Sequence, residues 1–313
     1  MIEIFTIVGP VFLILMLGYW LGRTTLFPPK SSEILITYVW YVAIPALMFR
    51  AIGSGELPKP DELFLVLGYY SSLGFLYLIA VLIAKYFFKL NPAEQGIFAL
   101  SSSFANGGFL GIPVLEGAYG AEGVRLLLVI LSFHALFLLT TTTLIVERAN
   151  RTVGGPNVLI KSLSSIAHNP LLIALACGLA WSALNLPFPY WLDRVLALPA
   201  QSASPVGLFA AGMALSHVKI AGDLRHASTA VAIKLFLLPA LVYSVTTWVI
   251  PLPSVWVGVA TLTAALPCGM VAYTMAVQYN VGTRRAVTTV MISTALSAFT
   301  LTAILSLLGV GGS

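Results

Sequence analysis

Ten long apolar stretches, almost free of charge, constrain the fold of this 313-residue chain more than any other feature. A helix of about 20 residues crosses a hydrocarbon core of about 30 Å. Only 9% of the residues are charged, whereas a soluble domain needs about a quarter to cover its surface. The sequence therefore predicts an all-α integral membrane protein with ten spans, at residues 4–22, 33–52, 63–88, 94–118, 123–147, 168–186, 192–217, 226–249, 254–278 and 284–308.

Basic residues predict how these spans are oriented. With ten spans, eleven Lys and Arg side chains fall on one side of the membrane and four on the other. The more basic side faces the cytoplasm in most membrane proteins. Both termini are therefore predicted to lie outside and the connection 148–167 in the cytoplasm, in a multi-pass protein of the inner or plasma membrane. The formal charge of +5 is attributed to topology and not to nucleic-acid binding.

The two halves of the chain are similar at an offset of about 160 residues. Five spans is an odd number, so a second copy of five must enter the membrane from the opposite face, which makes an inverted repeat. We predict a first repeat at 1–147, a linker at 148–167 and a second repeat at 168–313. The matched pairs are Pro10 with Pro170, Gly18 with Gly178, Pro45 with Pro205, Phe49 with Phe209, Tyr119 with Tyr279, and Arg125 with Arg285.

Spans 4 and 9 each contain residues that disfavour a continuous helix. Residues 106–113 hold three glycines, an Asn and a Pro, and residues 265–270 hold a Pro-Cys-Gly run. In a helix interior Gly costs about 1 kcal/mol and Pro about 3 kcal/mol relative to Ala. Two broken helices at matching places of an inverted repeat indicate a binding site at the midplane.

Each break would begin a half-helix whose free N–H groups and partial positive charge favour an anion. The alternative is that these residues are proline kinks and glycine packing contacts. The predicted binding residues are Asn106, Gly107, Gly108, Pro113, Pro267, Cys268, Gly269 and Met270.

One lysine and one histidine lie within spans, away from the span ends. Lys234 lies about 10–12 Å deep in span 8, at 1.5 Å per residue. It is predicted to neutralise the substrate or to hold unwound carbonyls in place of a coupling cation, and the alternative is that it snorkels to the surface. His134 in span 5 is predicted either to relay a proton or to be a hydrogen-bonded interior residue.

The motifs at the breaks are similar to those of one transporter family. The stretch from Asn106 to Pro113 with Tyr119-Gly120, the run Leu266-Pro267-Cys268-Gly269, and Ile44-Pro45 resemble the auxin efflux carrier family. That family includes bacterial malate and malonate permeases and plant PIN-type auxin carriers. The plant carriers have a polar side chain at both breaks, which Asn106 matches and Cys268 does not.

The resemblance implies a fold like that of NhaA and the bile-acid symporters, in which broken spans 4 and 9 cross. Spans 1, 2, 6 and 7 would form a scaffold, and spans 3–5 and 8–10 a mobile transport domain. The implied function is secondary active transport of a small organic anion, auxin-like or a carboxylate, by an elevator movement. The alternative is a sodium-coupled symporter of the bile-acid type.

Other classes of protein fit the sequence less well. An enzyme would need paired carboxylates, a zinc motif or a nucleophile beside a base, and a channel would need rings of like residues around a pore. No such pattern occurs, so the chain is not predicted to be an enzyme or to use a cofactor or metal. The predicted partners are a small organic anion and the lipid bilayer, with a homodimer through the scaffold spans as one assembly.

Overall fold

The structure, a computed structural model, describes residues 2–28, 30–54, 61–149, 170–216 and 224–310. The regular structure of these residues is entirely helical apart from one isolated bridge, which confirms the all-α part of the predicted fold class. The predicted linker 148–167 lies outside them except for its first two residues. The helices are α1 (Ile2–Leu21), α2 (Ser31–Gly53), α3 (Glu62–Phe87), α4 (Pro92–Ser101), α5 (Gly107–Ala149), α6 (Pro170–Ala183), α7 (Tyr190–Ser216), α8 (Leu224–Val249), α9 (Ser254–Ala265), α10 (Met270–Gln278) and α11 (Thr283–Leu307).

Seven of the described helices are long and apolar enough to cross a membrane, as expected for an integral membrane protein. They are α1, α2, α3, α5, α7, α8 and α11. Predicted spans 4 and 9 are instead divided, span 4 between α4 and the start of α5, and span 9 between α9 and α10. Helix α5 is 43 residues long but is interrupted at Gly120, whose φ of 62° and ψ of −150° are not helical. Ten crossings remain a prediction.

Three helices pass through a proline by means of a wider, π-helical turn. Proline has no N–H, and its ring clashes with the carbonyl four residues earlier in a regular helix. In each case the residue before the proline donates to the carbonyl five residues back, so the hydrogen-bond ladder continues. The three turns are Val39–Ala43 before Pro45, Gly107–Gly111 before Pro113, and Ile233–Leu237 before Pro239.

Glycines allow two pairs of helices to pack backbone against backbone. A Cβ at Gly18 in α1 would overlap the Phe209 carbonyl of α7. A Cβ at Gly178 in α6 would lie 3.4 Å from the Phe49 carbonyl oxygen of α2. Small residues allow such close approach between helices in a membrane. The pairs α1–α7 and α2–α6 are therefore tightly packed.

Candidate functional site

Two helix interruptions lie directly against each other. The first, residues 102–106, separates α4 from α5, and the second, residues 266–269, separates α9 from α10. We call these two segments together the crossing. The Asn106 N–H donates to the Pro267 carbonyl at 2.9 Å, and the Gly269 N–H donates to the Phe104 carbonyl at 3.0 Å. Each interruption thus satisfies backbone groups of the other, which a buried segment without helical bonds requires.

Side chains from α5 and α11 satisfy two further N–H groups of the crossing. The Ala105 N–H donates to His134 Nε2, and the Cys268 N–H donates to Ser293 Oγ, both at 3.0 Å. His134 is buried, and its ring centroid lies 4.9 Å from that of Phe104. Because Nε2 accepts a hydrogen bond, it carries no proton in this arrangement. This geometry favours the interior, hydrogen-bonded role of His134 over proton relay.

Lys234 of α8 contacts the last turn of α9, beside the crossing. Its side chain is fully buried, and Nζ donates to the Ala264 carbonyl at 2.5 Å. The ammonium therefore does not snorkel to the surface. It holds a carbonyl in the last turn of α9, immediately before the second interruption.

Asn106 is the predicted site residue whose polar side chain is free to bind a ligand. It is half-buried, and its amide caps no helix. No backbone acceptor for the N–H groups of Gly107 or Gly108 is found among the described residues. This end of α5 faces two other helices, because a Cβ at Gly108 would lie 3.1 Å from Ile44 of α2 and a Cβ at Gly207 of α7 would lie 2.6 Å from the Phe109 ring.

The other predicted residues are close by but mostly face the interior. A Cβ at Gly107 would overlap the Leu131 side chain, and one at Gly269 would lie 2.9 Å from the Phe104 ring. These two glycines therefore serve close packing, the alternative weighed above. Cys268 is fully buried, with Sγ 3.6 Å from the Gly269 carbonyl oxygen.

The remaining three predicted residues have different positions. Pro113 follows the π-helical turn of α5, and the Pro267 carbonyl takes part in the crossing. Met270 is half-buried at the start of α10. Among the described parts of the chain, no group of three or more His, Cys, Asp and Glu side chains is arranged to hold a metal ion.

Comparison with known proteins identifies the family. A sequence profile of the family described as "Membrane transport protein" matches residues 3–305. The chain belongs to this family. The transporter is 28% identical over 315 residues to the "Putative malonate transporter" of Rhizobium meliloti (strain 1021), covering 99% of this chain and 98% of the relative. It is 24% identical over 325 residues to "Auxin efflux carrier component 8" of Arabidopsis thaliana, covering 87% and 88% of the two chains.

A third relative extends the comparison to an enteric bacterium. The "Uncharacterized transporter YfdV" of Escherichia coli (strain K12) is 25% identical over 289 residues, covering 91% of each chain. The resemblance to the auxin efflux carrier family is confirmed by the profile and by these relatives. The protein is therefore a membrane transporter, which works in a lipid bilayer on a small molecule.

Proposed function

We propose that this transporter carries a small organic anion and binds it at the crossing. The observation that carries the proposal is the half-buried Asn106 amide, which lies beside N–H groups of α5 that have no backbone acceptor among the described residues. The first N–H groups of a helix point along its axis and bear about half a positive charge, so they bind anions. The Asn106 amide adds a donor at the same place.

The substrate we propose is a small carboxylate. The names of two relatives refer to malonate and to auxin, and both compounds carry a carboxylate. The fully buried Lys234 adds positive charge beside the crossing, and no carboxylate of the described residues lies within 4.0 Å of it. Malonate is therefore the first compound to test, followed by monocarboxylates and indole acids.

We further propose an elevator movement of a transport domain, α3–α5 with α8–α11, against a scaffold of α1, α2, α6 and α7. Two contacts support the inverted repeat on which this division rests. Gly18 packs on the Phe209 carbonyl, and Gly178 packs on the Phe49 carbonyl. Gly18 and Gly178 are 160 residues apart, as are Phe49 and Phe209, so one contact is the repeat image of the other. The same backbone packing supports a rigid scaffold.

The proposed orientation has both termini outside, the linker 148–167 in the cytoplasm, and a homodimer formed by scaffold helices in the plasma membrane. Contacts of Arg225 and Arg285 with the ends of neighbouring helices support a common basic face. The Arg225 guanidinium at the start of α8 lies 4.8 Å from the Phe87 ring at the end of α3. The starts of α4 and α11 are joined by the ion pair of Glu94 with Arg285, at 2.5 Å.

A cysteine at Gly154 tests the orientation. Cys177 is exposed and Cys268 is buried, so the background variant is Cys177→Ser. An impermeant maleimide should label Gly154→Cys only after the cytoplasmic face is opened. Labelling of Gly154→Cys on intact cells would reverse the proposed orientation.

Uptake of radiolabelled malonate into proteoliposomes tests the proposed function. We expect uptake above that of protein-free vesicles and competition by other small carboxylates. A folded protein that neither takes up nor binds any mono- or dicarboxylate would contradict the proposal. Uptake that requires a sodium gradient would instead favour the alternative, a symporter of the bile-acid type.

A further inference from the structure

We infer that the Lys234 ammonium is a tethered cation that fills a monovalent-cation site at the end of α9, so that transport needs no sodium ion. The inference about the site stands on the geometry of α8 and α9. Its consequence for transport rests on the proposed function.

The end of α9 has the chemistry of a cation site. The last carbonyls of a helix have no intrahelical partner and bear a partial negative charge. Helix α9 ends at Ala265, within the protein interior, and the Ala264 carbonyl accepts from Lys234 Nζ at 2.5 Å. In carriers with broken helices, such half-helix ends and unwound carbonyls coordinate the coupling cation. The ammonium occupies the position where that cation would bind.

The local structure holds the lysine in this position. Lys234 lies in the π-helical turn Ile233–Leu237, and π-helical turns often occur at functional sites. The side chain is fully buried, and no carboxylate of the described residues forms an ion pair with it. The carbonyl end of α9 is therefore its observed partner. The ammonium compensates the partial negative charge at this helix end, and not the charge of an acidic side chain.

The first half of the chain shows that such an interruption can form without a cation. At the predicted repeat offset of 160 residues, the position matching Lys234 is Gly74, which has no side chain. Among the described residues, a Cβ at Gly74 would have the Phe137 ring, at 3.5 Å, as its one neighbour from another helix within 4 Å. The interruption between α4 and α5 is bonded instead by His134, which accepts the Ala105 N–H. The lysine is thus specific to the second half, as expected for a group that replaces a ligand.

Thermal unfolding of purified protein tests the site without any transport substrate. Wild type, Lys234→Ala, Lys234→Met and Lys234→Arg are compared in sodium, methylammonium and choline chloride at equal ionic strength. Lys234→Ala opens space beside the Ala264 carbonyl, so sodium or methylammonium should raise its unfolding midpoint by about 2 °C or more over choline. Lys234→Met fills the same space without charge and Lys234→Arg keeps the charge, so neither they nor wild type should distinguish the salts.

Two results would overturn the inference. One is a Lys234→Ala midpoint that is the same in all three salts, and the other is a wild-type midpoint that sodium raises over choline. If Lys234→Ala cannot be purified in choline chloride, the yield of folded protein in methylammonium chloride replaces the comparison of midpoints. Folded protein in methylammonium chloride but not in choline chloride supports the site, and failure in both salts contradicts it.

Malonate uptake by wild-type protein separates this inference from the proposed function. Equal uptake in sodium and choline chloride is expected, and uptake only with sodium would refute the tethered cation. Absence of uptake in both salts, together with the expected midpoints of the Lys234 variants, would contradict the proposed function and leave the cation site supported.

Discussion

Removing the acceptor provided by His134 should weaken the crossing by a predictable amount. In His134→Leu the Ala105 N–H, buried and bonded to Nε2 at 3.0 Å, loses its partner. A buried donor left unpaired costs about 1–3 kcal/mol. At about 2–4 °C per kcal/mol, the unfolding midpoint should fall on the order of 2–12 °C. Intrinsic fluorescence during heating of detergent-solubilised protein measures this midpoint.

His134→Gln is the matched control, because a Gln side-chain oxygen can accept the same N–H. It should retain most of the stability that His134→Leu loses. Ser293→Ala removes the corresponding acceptor of the Cys268 N–H and should lower the midpoint by a similar amount. Equal midpoints for His134→Leu and His134→Gln would refute the role assigned to the hydrogen bond.

Two further predictions concern the packing and charge of the fold, and both are measured as unfolding midpoints. Gly18→Ala should destabilise the protein strongly, because its Cβ would overlap the Phe209 backbone. Gly9→Ala should be tolerated, because its Cβ meets only the movable Phe5 side chain at 3.3 Å. Similar unfolding midpoints for the two variants would contradict the close packing of α1 on α7. Arg125→Gln should leave the buried carboxylate of Glu62, 1% exposed, without its charged partner, at a cost near the lower end of the roughly 3–5 kcal/mol for broken buried pairs. Arg50→Gln, which breaks a more exposed pair, should cost less, and a larger effect of Arg50→Gln would show that burial does not decide the cost.

The interruptions themselves were predictable from the sequence. Glycines and prolines inside otherwise apolar spans stand out, because no lipid-exposed helix could leave their backbone groups unpaired. The matching places of the two breaks in the two halves, at residues 106–113 and 265–270, also indicated that the interruptions belong together. The bridge between Ala105 and Cys268 joins the two interruptions.

The partners within the crossing were not predictable in the same way. Ser293 Oγ accepts a hydrogen bond from the Cys268 N–H, 25 residues away in the sequence. The sequence of an apolar helix does not indicate which neighbouring group a serine in it will bond. The direction of a glycine's missing Cβ likewise depends on the packing around it. For this reason Gly107 and Gly269 were predicted at the site, although a Cβ at each would point at the side chain of Leu131 or Phe104, respectively.

The depth of Lys234 was predictable from its place in span 8, but the direction of its side chain was not. A lysine stem at that depth can extend to the surface or to the interior. Lys234 lies in the π-helical turn Ile233–Leu237, which precedes Pro239. The proline was visible in the sequence, whereas the Ala264 carbonyl that Lys234 reaches was not.

The affinity of purified Asn106→Ala for malonate, measured by isothermal titration calorimetry, tests the central claim most directly. The Asn106 amide caps no helix, so its removal should leave the unfolding midpoint unchanged. Loss of one hydrogen bond to a charged ligand costs about 1.5–3 kcal/mol, which weakens the Kd roughly ten- to hundred-fold. Gln278→Ala, which removes an exposed amide at the end of α10, should bind malonate like wild type. An unchanged Kd in a well-folded Asn106→Ala protein that binds malonate would contradict an anion site at the crossing.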